Sequence, residues 1–251
     1  MEKPDYGNWA PQKILIFILF TSIGSYLATY LLNNLIVIGI LKIASLLLLG
    51  LFLYLVYVYW LLEKDDKSMQ KQFWNVLIDQ LKWDGKGEAL DIGTGNGPIA
   101  ILLAKKHPSS IVKGIDYWGE PWTYAKQVCE RNAEVEGVAD RVSFEKASAV
   151  DLPFSDGEFD AVLSNFVFHA IKFQDRTQLI AEALRVLREG GSFAFQDLFN
   201  DEFYSEDFLD VVNGWGLSEV NFVESSEFIN VPLALRTKHM TGGSGILYGI
   251  K

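Results

Sequence analysis

Cysteine is almost absent from this chain of 251 residues; Cys129 is the only one. A single thiol excludes an intramolecular disulfide framework and a cysteine-rich zinc ribbon, and it fits a reducing compartment. Histidine is nearly as scarce: three scattered residues and one cysteine offer no convincing metal-ligating set. Basic residues number 22 against 32 acidic ones, giving a formal charge of −10 and a pI near 4.8. That deficit argues against nucleic acid as a partner, because such binding needs a basic surface to release counterions. No repeat with a period of about 20–50 residues occurs, which excludes a solenoid.

Charge itself is missing from Ile14 to Leu62, where Lys42 is the sole charged side chain. Ile14–Leu32 and Ile43–Leu62 are uncharged runs of 19 and 20 residues, about 28 and 30 Å long as helices and long enough to cross a hydrocarbon core. The polar pair Asn33-Asn34 opens the gap between them, so the turn falls between Asn33 and Lys42. Tyr54, Tyr57, Tyr59 and Trp60 crowd the end of the second run, where an interfacial aromatic belt would sit. The pattern predicts a two-helix transmembrane hairpin over residues 1–62, with spans at about 14–32 and 43–62. A second span and the lack of a small-residue cleavage site argue against a signal peptide. Lys3 and Lys13 precede the hairpin and Lys64, Lys67 and Lys71 follow it. The positive-inside rule therefore places both ends, and the domain at 63–251, on the cytoplasmic side of a multi-pass membrane protein. That domain holds 19 basic and 30 acidic residues, so an anionic leaflet repels it and the hairpin must hold it there.

Beyond the hairpin, Phe73, Trp74, Leu77 and Leu81 give residues 69–81 one apolar helical face. GEALDIG, SIVKGID, RVSFEKA, FDAVLSNF and GSFAFQDL read as strands, followed by VNFVES and GILYGI. Helices are expected over Pro98–Lys106, Trp122–Val135 and Arg176–Glu189. Strands alternating with helices imply βαβ units, a mostly parallel sheet and right-handed crossovers.

The segment ALDIGTGNGPIAI carries Asp91, Gly93, Gly95 and Gly97 at a strand-to-helix turn, where glycine lets the backbone approach a ligand. The spacing is GxGxG, with Pro98 at the position of a third dinucleotide-type glycine. Proline suits the first turn of a helix, so a pyrophosphate turn is disfavoured. Asp116 ends the second strand 19 residues beyond Gly97, where a carboxylate can accept both hydroxyls of a ribose or serve as a helix cap.

Taken together, ALDIGTGNGPIAI, KGIDYWG, ASAVDLPFSDGEFDAVLSN and EALRVLREGGSFAF resemble the class I S-adenosylmethionine-dependent methyltransferases, and within them the small-molecule branch called methyltransferase type 11. The resemblance covers about residues 69–250. It implies an α/β, Rossmann-like fold with a mostly parallel seven-stranded sheet and helices on both faces. It also implies S-adenosylmethionine as cofactor. Asp91, Gly93, Thr94, Gly95 and Gly97 would line its methionine moiety, Asp116 would hold the ribose, and Tyr117 would flank the adenine. Where the family carries a GDA-like triplet, this chain has Ala147-Ser148-Ala149, so Ser148 replaces an acid beside Ala149. Asn165 sits where donor and acceptor meet. Phe166-Val167 follow it in place of the NPPY-type tetrad of nucleic-acid amino methyltransferases.

Methyl transfer is an in-line displacement in which the protein aligns the reactants and excludes water. A hydroxyl, thiol or activated-carbon acceptor benefits from a base, and His169 is the best placed; its other reading is a residue that orders the loop. Asp197 faces the same crevice. Trp118 and Trp122 are candidate covers for the cofactor, and Phe199, Phe203 and Tyr204 candidate walls of an acceptor pocket. The expected activity is methyl transfer to a small, hydrophobic or membrane-partitioned acceptor. The alternatives are a membrane-anchored nucleotide-dependent oxidoreductase and a non-catalytic membrane scaffold. Oligomeric state is not legible.

Overall fold

Ala89, Leu90 and Ile92 are wholly buried in β1 (Gly87–Ile92), the central strand of the sheet. The computed structural model describes the chain except residues 1, 11, 64–67, 120–123, 173, 201–203, 205–206 and 238–239. The described chain divides into two compact units, one of Met1–Gly7, Lys71–Gly119 and Tyr124–Lys251, the other built on Asn8–Gln70.

In the larger unit β1 lies between β2 (Ser110–Asp116) and β4 (Phe159–Asn165), parallel to both. β3 (Val142–Lys146), β5 (Leu187–Leu198), β6 (Glu219–Glu224) and β7 (Ser244–Ile250) complete a seven-stranded sheet of order β3-β2-β1-β4-β5-β7-β6. Only β7 runs antiparallel to its neighbours. The chain steps one way through β1, β2 and β3, and the other way from β4 to β5. Right-handed crossovers then put α4 (Pro98–Lys106) and α5 (Lys126–Val135) on one face and α6 (Arg176–Arg185) on the other. The reversal falls between β1 and β4, the switch point beyond which ligands bind in open α/β sheets. This is the Rossmann-like methyltransferase fold expected from the motifs.

Residues 69–80 form α3, with Phe73, Trp74 and Leu77 buried as their spacing predicts; Leu81 is buried just beyond its end, and Ile78 joins them. Two boundaries differ from expectation. α5 begins at Lys126, not Trp122, because Ala125 is extended (φ −155°) and its N–H donates to Asn96 Oδ1; Trp122 lies outside the described residues. α6, capped by Asp175 accepting Thr177 N at 2.9 Å, stops at Arg185, short of Glu189. Gly157 N and Phe159 N donate to Arg185 O and Val186 O, and Leu187 pairs with Phe159, so the sheet claims the segment ahead of Gly190-Gly191.

The smaller unit holds α1 (Gln12–Ala28), a 3-10 turn (Thr29–Leu31) and α2 (Leu35–Glu63). Both helical segments are long and apolar enough to cross a membrane, and only 11% and 6% of their most apolar windows are buried. So little burial is not that of soluble core helices. The turn falls at the Asn33-Asn34 end of the predicted gap because Asn34 Oδ1 accepts Ile36 N and Val37 N, capping α2. Lys42 therefore lies inside α2. Ser22 and Ser45, both buried, clasp the helices: each hydroxyl donates to the other residue's carbonyl, at 2.9 and 2.8 Å. Thr21 and Ser25 bond carbonyls four residues back, so their hydroxyls are satisfied within α1.

Candidate active site

The sheet delivers the predicted residues to its carboxyl edge. Asp91, fully buried in β1, accepts from Thr94 Oγ1 (2.6 Å) and Ala100 N (3.2 Å), both through Oδ2. Its other oxygen, Oδ1, is buried with no hydrogen-bond partner among the described residues. Burial pushes the Asp91 carboxyl up to about 7; the bonds from Thr94 and Ala100 oppose that, and the charge of Asp116 adds to it. Gly93 N and Thr94 N both donate to Ile115 O at 2.8 Å, locking the turn to β2. Gly97 precedes α4 with Pro98 in its first turn, as expected.

The glycines of this turn have different jobs. Gly93 has φ +73°, and a Cβ there would overlap the Val167 side chain, so this glycine serves packing of the turn against the segment after β4. A Cβ at Gly95 would stand 3.5 Å from the Tyr124 ring, an ordinary contact, so it is the positive φ (+58°) that favours glycine there.

Asp116, at the end of β2, accepts Gly95 N (2.9 Å) on Oδ2 and Trp118 N (2.7 Å) on Oδ1. Burial raises its carboxyl, and the backbone donors from Trp118, Gly95 and Tyr117 pull against that shift. Each oxygen keeps a further lone pair for a hydroxyl. Trp118 takes a left-handed conformation (φ +47°) and donates from Nε1 to Gly95 O at 2.8 Å. Tyr117 is exposed, with Lys146 Nζ 4.9 Å from its ring centroid. Ser148 Oγ accepts Val150 N at 3.2 Å, so the hydroxyl that stands in place of an acid closes its own turn; Ala149 packs on the core beside it. Cys129 is buried with its thiol pushed up to about 12, chiefly by burial, which makes it inert.

After β4, Asn165 Nδ2 donates to Gln196 Oε1 at 2.7 Å. Phe166 follows at φ +54°, edge-on to Phe73 with centroids 5.3 Å apart; non-glycine residues hold such a conformation only where the surroundings impose it. His169 lies on the next 3-10 turn. Its Nδ1 is 2.5 Å from Oδ1 of the fully buried Asp197, and its backbone N donates to Oδ2 at 3.1 Å. Leu198 N and Tyr204 OH also donate to that carboxylate. A carboxylate partner makes Nδ1 the protonated nitrogen and Nε2 the basic one. The sequence supplied His169 and Asp197 separately; nothing in it paired them. Tyr204 and Phe199 stack into the core at 4.8 Å between centroids, while Phe203 and His239 lie outside the described residues.

Comparison with known proteins agrees with this geometry. Residues 90–195 match the family Methyltransf_11, described as "Methyltransferase domain". The ubiquinone/menaquinone biosynthesis C-methyltransferase UbiE of Geotalea daltonii is 33% identical over 45% of this chain and 46% of its own length. The malonyl-[acyl-carrier protein] O-methyltransferase of Geobacter sulfurreducens is 34% identical over 55% of this chain and 49% of its own. The chain thus spans about half the length of these curated relatives. A solved geranyl diphosphate methyltransferase in complex with SAM superposes with a TM-score of 0.53 and 16% identity, covering 70% of this chain and 83% of that one, a likeness of fold. The Asp91 oxygen with no partner among the described residues and the acid at Asp116 fit S-adenosylmethionine, a ligand bearing both an ammonium and a ribose. Residues 90–195 carry a methyltransferase domain, and S-adenosylmethionine is the cofactor its relatives support.

Proposed function

We propose that this chain methylates a small, lipid-soluble acceptor from a position held at a membrane, and that His169 is the base. The observation that carries the assignment is the acid pair around the glycine turn: Asp91, with a buried oxygen that has no partner among the described residues, and Asp116 at the end of the adjacent strand. Bound S-adenosylmethionine supplies a methyl group activated for in-line displacement. Asp91 receives its ammonium, and Gly93, Thr94, Gly95 and Gly97 line the methionine. Asp116 accepts the ribose hydroxyls, while Tyr117, Ser148 and Ala149 border the adenine. Asn165, steadied by Gln196, orients the acceptor. Phe73, Phe166 and Val167 exclude water. His169 takes the acceptor's proton on Nε2, and Asp197 stabilises the imidazolium that results. A nucleotide-dependent oxidoreductase and a non-catalytic scaffold are not favoured by the two curated relatives described above, which are named as methyltransferases.

Membrane attachment is supported by the two exposed apolar helices. The lysines that flank the hairpin support a cytoplasmic position for both of its ends. An anchor of this kind concentrates the catalyst where lipid-soluble acceptors collect. One relative is named for ubiquinone and menaquinone biosynthesis, which supports a ring-bearing or isoprenoid acceptor.

Titration calorimetry of the full chain in detergent should detect S-adenosylmethionine binding; tight NAD binding without it would overturn the assignment. Labelled-methyl transfer into a total lipid and small-molecule extract, read by mass spectrometry, should mark a lipid-soluble product. Label confined to water-soluble products refutes the acceptor class.

A further inference from the structure

Residues 2–7, ahead of the hairpin, fold with the methyltransferase domain. Asn132 on α5 is fully buried, and its amide pairs with the Asp5 backbone in both directions. Asp5 N donates to Asn132 Oδ1 at 2.8 Å, and Asn132 Nδ2 donates to Asp5 O at 2.8 Å. The same Nδ2 donates to Asn96 O at 3.0 Å, inside the glycine turn. Asn96 completes the network: its Nδ2 donates to Asp5 O at 3.1 Å and its Oδ1 accepts Ala125 N at 3.2 Å. Tyr6 lies edge-on to Trp74 at 5.6 Å and donates to Glu136, and Arg131 binds Glu2. At Gly7 a Cβ would stand 2.7 Å from the Tyr124 ring, which also borders Gly95. Tyr124 therefore lies between the N-terminal segment and the cofactor turn.

We propose that residues 2–7 are a strap that positions the cofactor turn, with Asn96 and Asn132 as positioning residues for S-adenosylmethionine binding. This rests on the reading of that turn as the cofactor site. A turn built on three glycines has ample conformational freedom, and a site held in its bound geometry avoids the ordering entropy of binding. Asn132 supplies the hold: one buried amide touches both the strap and the turn. Without the strap, two buried amides lose the Asp5 carbonyl and the turn loses a wall. The strap continues into α1 five residues after Gly7, so anchor and cofactor turn share one short tether.

The test is calorimetric titration of S-adenosylmethionine into the full chain in nanodiscs, with turnover measured on the same samples. Asn132→Ala and a chain lacking residues 2–7 should each weaken binding about tenfold, as expected for lost buried hydrogen bonds. Turnover at saturating cofactor should stay within about twofold. Asn132→Asp keeps an acceptor for Asp5 N and should recover part of the affinity. Should Asn132→Ala not fold, the deletion and Tyr6→Ala read the strap without touching α5. Unchanged affinity in the deleted chain, or a loss confined to saturated turnover, overturns the strap. A parent chain that binds no S-adenosylmethionine overturns the cofactor reading and the strap with it.

Discussion

Asp91→Asn should weaken cofactor binding and at the same time stabilise the ligand-free fold, most strongly at and above neutral pH. The carboxyl is raised by burial to about 7, roughly three units above an ordinary aspartate. Holding it ionised at pH 8 therefore costs the folded chain about 4 kcal/mol. The sign follows from the folded value lying above the unfolded one. The penalty is absent below about pH 4, grows between about 4 and 7, and is full beyond. Asparagine removes the charge, but places an NH₂ where Oδ1 has no partner, a loss of about 1–3 kcal/mol. The net gain at pH 8 is about 1–3 kcal/mol, several degrees in Tm for a domain of this size; at pH 5 most of it vanishes. Binding moves the other way: losing a charge-assisted hydrogen bond, about 1.5–3 kcal/mol, raises the S-adenosylmethionine Kd by roughly 10–150-fold. Thermal unfolding of the ligand-free chain at pH 5 and 8, with calorimetry at pH 8, measures both. A variant less stable than the parent at pH 8 that binds cofactor equally well would refute the reasoning.

The parent chain's cofactor Kd should rise by up to about tenfold per unit as pH falls below 7 and Asp91 takes a proton, a trend Asp91→Asn abolishes in calorimetry. His169→Ala should lower kcat by about 10²–10⁴ with cofactor affinity unchanged. Asp197→Asn, which no longer fixes the Nδ1–H tautomer, should lower kcat in the same direction in steady-state assays, with cofactor affinity unchanged. Gly93→Ala forces a side chain into Val167 at positive φ, and should lower domain stability by about 1–3 kcal/mol in denaturant unfolding. Ser22→Ala with Ser45→Ala should weaken helix pairing in detergent by about 1–2 kcal/mol, and a double-mutant cycle should show the two hydroxyls to be coupled.

Local pattern carried most of the larger unit because each strand's chemistry is local. Ala89, Leu90 and Ile92 had to be buried, Gly97-Pro98 had to turn into a helix, and Asp116 had to end a strand at the ligand edge. The helix that ends at Arg185 reads as longer because Leu187 continues the helical spacing of Leu179, Ala183 and Leu184, until β4 offers the segment backbone partners. The glycine string announced a turn after β1, but not that Gly93 is required by Val167, 74 positions later. His169 and Asp197 could each be placed at the carboxyl edge; their 2.5 Å approach depends on the 3-10 turn that carries the imidazole back over β5.

The strap shows where such reading stops and what would extend it. Asp5 meets Asn132 through main-chain N–H and C=O, groups every residue carries, so no side chain at position 5 advertises the contact. The signal lies at the other end. Cys129, Asn132 and Ala133 form the buried face of α5, and a wholly buried amide among apolar neighbours must find partners for its donors and its acceptor. α5 cannot supply them, since its own backbone groups are already committed to the helix. A polar residue at a helical core position is therefore a demand for a distant chain segment. Here the demand is met by a six-residue segment ahead of the apolar helices, so the proposed strap ties α5 and the glycine turn to one short stretch of chain.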